Sequence, residues 1–277
     1  MTGRPALVLI ATPIGNLGDL STRAVAELRA ADAIACEDTR RTRALLSHSG
    51  VRCPPLIVVN DHTEAASVRD VLRRLDDGQR VAVVSDAGTP GISDPGERLV
   101  RAASNAGHRV EIAPGPSAAI AALVLSGLPT GRFVFEGFLP RKGAARAARL
   151  DALLREERTV IVYEAPHRVL ATLRDLAGAL GGTRRVAIAR ELTKLHEEVW
   201  RGTLPDAVLW AESEPPGEFV IVIEGASRVD GPSDDDLVAA LRGHIDGGST
   251  KRDAVMAVVD ELAVAKRRVY DLANRLG

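Results

Sequence analysis

Cysteine is scarce in this chain of 277 residues, which has only Cys36 and Cys53. Two cysteines imply no disulfide framework of the kind that staples small secreted domains. The six histidines and two cysteines show no ligand spacing, so the sequence predicts no metal site.

Long apolar runs and targeting segments are also lacking. The longest apolar run, residues 118–125, is too short to span a bilayer. The N-terminus lacks the basic start, apolar stretch and cleavage site of a signal peptide. Hydrophobic residues at 45% and charged residues at 26% are ordinary globular values, which argues against disorder and coiled coil. We therefore expect a soluble, cytoplasmic protein with no membrane partner.

Aromatic residues are scarce as well, and positive charge is not in excess. Aromatics make up 3% of the chain, which disfavours an extended platform for stacking bases. The 36 basic and 37 acidic residues give a net charge of −1, which alone argues against a nucleic-acid partner. However, 32 of the 36 basic residues are arginine, the better residue for phosphate forks. The basic residues also cluster, at residues 40–43, 141–149 and 266–268, and the net charge does not report such clustering.

Strand and helix patterns alternate in the first half of the chain. Ser21, Thr63 and Ser117 are expected to cap helices. Asp94 is placed as the N-cap of another helix, with Glu97 at its third position, which predicts a capping box. The predicted strands are residues 7–11, 33–36, 56–59, 80–84 and 110–113. Strands separated by helices indicate a mostly parallel sheet.

The pattern changes after a linker at residues 127–131. Predicted strands lie at 133–135, 160–163, 186–189, 198–200 and 219–224, with helices at 144–156, 166–180 and 204–210. This denser spacing favours a mixed sheet. A polar linker at 227–236 precedes helices at 235–242, 251–262 and 266–275, and the last two look like a helix-turn-helix. The domains are therefore predicted as residues 1–127, 128–228 and 233–277.

Residues 85–96, SDAGTPGISDPG, are the richest candidate for a ligand site. They follow a strand, and ligands of open α/β sheets bind at the carboxyl ends of strands. The segment is neither a G-x-G-x-x-G motif nor a P-loop and has no Lys or Arg, so a neutral or zwitterionic ligand fits better than a polyphosphate. The alternative is a tight turn capped by Asp94. Similar loops at 11–19 and 113–117 would converge on the same rim.

Acidic and basic residues also stand side by side at three other strand ends, in residues 36–43, 163–168 and 189–194. Glu37 and Asp38 precede a run of arginines, either as a solvated helix start that favours the dipole or as part of a site. In the second interpretation, the arginines meet substrate phosphates while a carboxylate assists proton transfer. Glu164 and His167 repeat this layout in the second half, with the same two interpretations.

Four basic residues with no acidic one occur at Arg141, Lys142, Arg146 and Arg149. Positions 142, 146 and 149 fall on one helical face. The hypothesis is contact with phosphates, and the alternative is a solvated helix face.

Together these motifs resemble one family over nearly the whole chain. The motifs are ATPIGNLGD at 11–19, CEDTR at 36–40, SDAGTPGISDPG at 85–96, PGPS at 114–117, GFLPRK at 137–142, YEAPHR at 163–168 and RELTK at 190–194. The chain resembles the bacterial 16S (small-subunit) ribosomal RNA (cytidine-2′-O)-methyltransferases of the tetrapyrrole methylase superfamily.

That resemblance implies a two-domain α/β fold of the tetrapyrrole methylase type with a small all-helical extension. It also implies S-adenosylmethionine in the cleft between the domains, a homodimer, and ribose methylation of a decoding-centre cytidine on the small ribosomal subunit or its RNA. The implied cofactor contacts are Ile14, Asp86, Gly88, Thr89, Ile92, Ser117, Ala118, Tyr163, Ala189 and Glu218. The superfamily's usual Gly-Asp-Pro is Gly88-Thr89-Pro90 here.

A ribose hydroxyl is a weak nucleophile, so a nearby base should help its attack. The candidate bases are Glu164, Glu37, Asp38 and His167. The residues predicted to hold the RNA are Arg40, Arg41, Arg141, Lys142 and Arg168.

Two other functions stay open. One is a precorrin-type methyltransferase on the same fold. The other is a non-catalytic protein that binds nucleic acid or the ribosome through its helical tail. Residues 249–277 carry six basic and four acidic residues, a balance that is weak for a DNA reader. The CEDTR motif, the basic run after residue 138 and the tail favour RNA.

Overall fold

A computed structural model describes residues 4–60, 64–213, 216–227, 232–262 and 264–276. The chain divides into two compact units, Met1–Ala226 and Ser227–Gly277. No helix among the described residues is long and apolar enough to cross a bilayer.

The first sheet is parallel throughout. Its strands are β1 (Ala6–Ile10), β2 (Ala33–Cys36), β3 (Leu56–Val58), β4 (Arg80–Val84) and β5 (Val110–Ala113). They lie in the order β3-β2-β4-β1-β5. The strands β1, β2 and β4 are buried along their whole length, as expected for continuous apolar runs covered on both faces. The predicted mostly parallel sheet is confirmed.

Five helices accompany this sheet: α1 (Thr22–Ala30), α2 (Thr39–His48), α3 (Glu64–Asp76), α4 (Glu97–Asn105) and α5 (Ala118–Ser126). The predicted cap of α1 is confirmed, because the Ser21 side chain accepts a hydrogen bond from the Ala24 N–H. Thr63, the predicted cap of α3, lies outside the described residues.

The capping box predicted at the start of α4 is wrong. The helix begins at Glu97, and its N-cap is Gly96, which makes no side-chain cap. The Gly91 N–H donates to the Pro95 carbonyl at 3.2 Å, so the preceding loop closes its own turn. Gly96 then has φ 143°, which only glycine adopts readily. Asp94 is therefore left in the loop rather than at the helix end.

The second sheet is mixed, as predicted. Its strands are β6 (Phe133–Phe138), β7 (Thr159–Glu164), β8 (Arg185–Arg190), β9 (Glu198–Thr203) and β10 (Phe219–Ile223), in the order β6-β7-β10-β8-β9. Only β6 and β7 are parallel, and the other neighbours are antiparallel. The helices of this half are α6 (Gly143–Leu154), α7 (Val169–Leu180) and α8 (Leu204–Ala211).

Helix α5 precedes the 127–131 segment but packs on the second sheet. Its residues Ala122 and Leu123 belong to the same buried cluster as Ile161 of β7 and Ala187 of β8. The chain therefore connects the two sheets through a helix whose packing belongs to the sheet that follows it. The domain bounds 1–127, 128–228 and 233–277 stay a prediction.

A buried ion cluster lies at the start of β4. The Arg80 side chain is only 3% exposed. Its guanidinium donates to Glu27 at 2.7 Å, to Glu111, and to the Arg4 carbonyl at 2.8 Å. A buried charge needs such partners to offset its lost hydration.

The second unit contains α9 (Asp234–Asp246), α10 (Lys251–Leu262) and α11 (Lys266–Arg275). They pack around Leu237, Val258 and Val269. A capping box between Ser233 and Asp236 starts α9, so this helix is longer than predicted, whereas α10 and α11 have the predicted bounds. Part of the predicted 227–236 linker, residues 228–231, lies outside the described residues.

Candidate functional site

A cavity of about 330 Å³ lies where loops of the first sheet meet the second sheet. Its volume falls within the range of small-molecule sites, about 300–1,000 Å³. The first-sheet loops follow β1, β4 and β5, and the second-sheet side is formed at one end of β7, β8 and β10. Its lining residues are Ile14, Ala87, Gly88, Thr89, Ile92, Ser93, Asp94, Ser117, Ala118, Phe138, Tyr163, Glu164, Ala165, Pro166, Ala189, Glu191, Leu192, Lys194, Glu218, Phe219 and Val220.

Nine of the ten residues predicted as cofactor contacts line this one cavity. They are Ile14, Gly88, Thr89, Ile92, Ser117, Ala118, Tyr163, Ala189 and Glu218. Asp86 lines an adjoining cavity of about 370 Å³ instead. The two cavities share Ile14 and Glu218, so they are neighbours. The assignment of these ten residues to a cofactor stays a prediction.

A backbone bridge ties two of the loops together. Thr12 donates to the Gly88 carbonyl at 2.8 Å, and Gly88 donates back to Thr12 at 3.1 Å. Gly88 has φ 78°, and a Cβ there would come within 3.4 Å of Ile14. The left-handed backbone therefore favours glycine at this position, while the contact with Ile14 would be an ordinary one. Ser93 further along the loop has φ 59° without being glycine, an uncommon conformation of the kind found at functional sites.

Tyr163 joins the second sheet to α5. Its hydroxyl accepts a hydrogen bond from the Ala119 N–H at 3.2 Å, and its ring meets Phe135 edge-on with the centroids 5.0 Å apart. Burial raises the pKa of the phenol. Ser117 occupies the N-cap of α5 but makes no side-chain cap, so the predicted capping by its hydroxyl is wrong and Tyr163 satisfies the helix end.

The Glu164 carboxylate is buried and fully engaged. It accepts from the Ala165 N–H at 2.9 Å and from the Thr172 hydroxyl at 2.6 Å. The Arg168 guanidinium lies 3.3 Å away. These bonds fix the turn Pro166–Arg168, which carries Pro166 into the cavity wall.

Asp94 is the carboxyl group of the cavity with the most perturbed proton affinity. Burial raises its pKa to about 6, with further raising by the carboxylates of Glu37 and Asp86 and an opposing hydrogen bond from Ser85. The sequence leaves Asp94 either as a helix cap or as part of the candidate ligand segment 85–96, and Asp94 is not among the individually predicted site residues.

Among the described residues that line the cavity, Lys194 is the one basic residue. Its ammonium lies 2.9 Å from Glu191 and 3.0 Å from Glu218. Burial opposes its charge, but the two carboxylates raise its pKa overall. The described lining thus has four carboxylates, those of Asp94, Glu164, Glu191 and Glu218, and one ammonium, that of Lys194. The cavity therefore favours a cationic ligand and is no cradle for phosphates.

Asp38 starts helix α2 and is paired. It accepts from the Arg40 N–H at 2.7 Å, and the Arg40 guanidinium lies 2.9 Å away. Hydrogen bonds from Arg40 hold the pKa of Asp38 down, to about 2. The helix-start interpretation is confirmed for Asp38. Arg41 lies 3.5 Å from Asp86 and lines the adjoining cavity.

The face predicted for phosphate contact at 142, 146 and 149 is partly wrong. Arg146 is buried at 8% exposure and donates to Asp175 at 2.7 Å and to the Thr172 hydroxyl at 3.0 Å. Its guanidinium is thus used inside the fold and cannot reach a phosphate. Arg149 is paired with Glu136 at 3.2 Å.

The other predicted RNA and catalytic residues lie outside the cavity wall. Arg141 and Lys142 are exposed just before α6. Arg168 is 20% exposed and donates to the Leu139 carbonyl at 3.0 Å. His167 and Glu37 are exposed, and neither is among the described residues that line the cavity.

Some lining residues carried little sequence signal. Glu191 and Lys194 stand in the strand-end segment 189–194, which the sequence marks as a candidate, although neither is among the predicted site residues. Thr193 between them has φ 64°, and Glu191 has φ 51°. Phe219 and Val220 sit in a uniformly apolar strand, a pattern that predicts burial and nothing more.

A parallel sheet and a mixed sheet, with a cavity where their loops face each other, are the architecture of a known class of protein. The sequence profile of the family described as "Tetrapyrrole (Corrin/Porphyrin) Methylases" matches residues 6–208, and the chain belongs to this family. It is 49% identical to the Synechocystis protein named ribosomal RNA small subunit methyltransferase I, over 98% of both chains. The Mycobacterium tuberculosis protein of that name is 46% identical over 96% of this chain and 93% of its own.

Solved structures show the same fold at low identity. The methyltransferase CobJ matches with a TM-score of 0.61 and 21% identity over 81% of this chain and 96% of its own. The uroporphyrin-III C-methyltransferase of Thermus thermophilus, complexed with S-adenosyl homocysteine, matches with a TM-score of 0.53 and 19% identity over 78% and 96%.

Proposed function

We propose that this chain methylates small-subunit ribosomal RNA, using S-adenosylmethionine, at the ribose 2′-oxygen of a decoding-centre cytidine. The observation that carries the proposal is the 49% identity, over 98% of both chains, to a protein named ribosomal RNA small subunit methyltransferase I. We also propose that it works in the cytoplasm as a homodimer.

The cavity fits S-adenosylmethionine. This compound carries a methyl group on a cationic sulfonium and has no phosphate, which suits a lining of four carboxylates and one lysine without arginine. The nine predicted contacts in the cavity wall would hold it, with Ile14 and Ile92 providing apolar surface and Ser117 polar contact. Asp86 would act from the adjoining cavity.

The adjoining cavity supports the RNA part of the proposal. Arg41 and the α2 residues Thr42 and Leu45 line it, and it opens beside the proposed cofactor site. The enzyme's main contribution would be to align the ribose oxygen with the methyl group. Exposed Arg40, Arg41, Arg141 and Lys142 would hold the RNA backbone, and Arg168 would join them only by leaving its present partners.

The candidate bases differ in what their surroundings allow. Asp38 is paired with Arg40. The Glu164 carboxylate already accepts hydrogen bonds from Ala165 and Thr172 and forms an ion pair with Arg168. Glu37 and His167 are exposed.

The test is transfer of a labelled methyl group from S-adenosylmethionine to small ribosomal subunits that lack this modification. We expect transfer to the subunits, none to a precorrin, and label in a cytidine whose 3′ phosphodiester resists alkali, because alkaline cleavage needs a free 2′-hydroxyl. Label on the base would refute the ribose assignment. Transfer to neither acceptor, despite tight cofactor binding, would overturn the proposed function.

A further inference from the structure

Asp94 differs from every other carboxylate of the cavity in having no cationic partner. Glu191 and Glu218 share Lys194, and Glu164 faces Arg168. For Asp94 the described residues provide no ion pair. Its place in the loop follows from Gly96, which delays the start of α4 and so leaves the carboxyl at the cavity wall.

The groups around Asp94 come from both sides of the cavity. Glu37 follows β2, and Ser85 and Asp86 follow β4. The negative charges of Glu37 and Asp86 add to the effect of burial and raise the pKa of Asp94, and the Ser85 hydroxyl forms a hydrogen bond with the Asp94 carboxylate. The charge of Asp94 in turn adds to the effect of burial in raising the pKa of Tyr163 of β7. Asp94 is thus a carboxyl with a pKa of about 6, mostly deprotonated near neutral pH and more basic than an ordinary aspartate.

We propose that Asp94 is the proton acceptor of the methyl transfer, and therefore a catalytic residue. This inference rests on the proposed function and deepens it. As the ribose 2′-oxygen forms its bond to the methyl carbon, the carbon–sulfur bond breaks and its electron pair stays on sulfur. The hydroxyl proton passes to the Asp94 carboxylate, which later releases it to water. No further reactant is needed.

The first test is Asp94→Asn, measured by single-turnover transfer to small subunits and by calorimetry with S-adenosylhomocysteine. We expect transfer to slow by about 10²- to 10⁴-fold, the usual contribution of a general base. Affinity for S-adenosylhomocysteine should stay within about threefold. A rate within about threefold of wild type would overturn the proposal, and so would a loss of affinity that accounts for the slower rate.

The pH profile separates proton transfer from a structural role. Below the Asp94 pKa of about 6 the wild-type rate should fall about tenfold per pH unit. Glu37→Gln removes a facing negative charge and should move this acid limb to lower pH. Glu97→Gln is the matched control, because its side chain is 79% exposed near the same loop, and its limb should not move. The proposal is contradicted if the acid limb of the pH profile lies at the same pH in Glu37→Gln as in wild type.

A third readout does not involve activity. A carboxyl whose pKa is higher in the folded than in the unfolded protein lowers stability as the pH rises between the two values. Asp94→Asn should therefore have the higher Tm at about pH 8, with the advantage lost below about pH 4. If the Tm of Asp94→Asn is lower than that of wild type at both pH values, the pKa of Asp94 is not raised by burial and this expectation is refuted. Wild type that binds S-adenosylhomocysteine but methylates nothing would instead refute the proposed function, and the role of Asp94 with it.

Discussion

Replacing Glu164 by glutamine tests whether this buried carboxylate is an anchor of the cavity wall. An amide keeps one acceptor oxygen, which can still receive the Ala165 N–H and face Arg168. Its NH₂ then points at the Thr172 hydroxyl, which now donates at 2.6 Å. That hydroxyl already accepts from Arg146 at 3.0 Å, so its own hydrogen loses its acceptor and Arg168 loses its charge partner.

The expected cost follows from these losses. A buried polar group left without its partner costs about 1–3 kcal/mol, and losing one side of a buried ion pair costs about 3–5 kcal/mol. Because Arg168 is 20% exposed, water recovers part of the second cost. We therefore expect Glu164→Gln to lower the free energy of unfolding by about 2–4 kcal/mol, measured by urea denaturation.

Thr172→Val is the matched variant, because it removes the same hydrogen bond, together with the one that Thr172 accepts from Arg146, and leaves the Glu164 charge in place. We expect it to lower the free energy of unfolding by about 1–3 kcal/mol. If Glu164 anchors the wall, both variants slow methyl transfer to a similar extent. The reasoning is refuted if Glu164→Gln is as stable as wild type. It also fails if that variant alone abolishes transfer while its cofactor affinity is unchanged.

Three further predictions concern the cofactor, a backbone contact and the buried ion cluster. Asp86→Ala should weaken S-adenosylmethionine binding by about tenfold, and an unchanged affinity by calorimetry would remove Asp86 from the site. Gly225→Ala should cost about 3 kcal/mol in urea denaturation, since a Cβ would overlap the Glu157 carbonyl oxygen. Gly178→Ala, in open space within α7, is its control and should be neutral or stabilising, so equal costs would contradict the argument. Arg80→Met should lower the free energy of unfolding by about 3–5 kcal/mol, because it leaves the buried Glu27 carboxylate without its guanidinium partner, whereas Glu111 keeps Arg109; a loss below about 1 kcal/mol would show that water reaches Glu27.

The strands were predictable because burial leaves a direct record in sequence. The strands β2 and β4 have the predicted bounds, since their continuous apolar runs admit no other placement in a parallel sheet. The loops of the site were found for a related reason. Glycines and polar residues directly after such runs mark the rim where ligands bind.

A local turn and one long-range partner explain the errors. The segment around Asp94 has a local pattern typical of a capping box, but a hydrogen bond between Gly91 and Pro95 removed it from the helix. Arg146 follows the spacing of an exposed basic face, yet Asp175 of α7 draws it inside. Asp175 lies 29 residues beyond Arg146, so the local pattern could not have identified it, whereas the Gly91–Pro95 bond is local and depends on the turn that the loop adopts.

The position of α5 constrains how the chain can be divided. The helix is made before the 127–131 segment, but it covers residues such as Ile161 and Ala187 of the second sheet. A cut at that segment would strip this sheet of its cover and give the first fragment an apolar helix with nothing beneath it. The two sheets therefore cannot be produced as separate stable fragments by a cut at residues 127–131, and a working boundary would have to fall before Ser117.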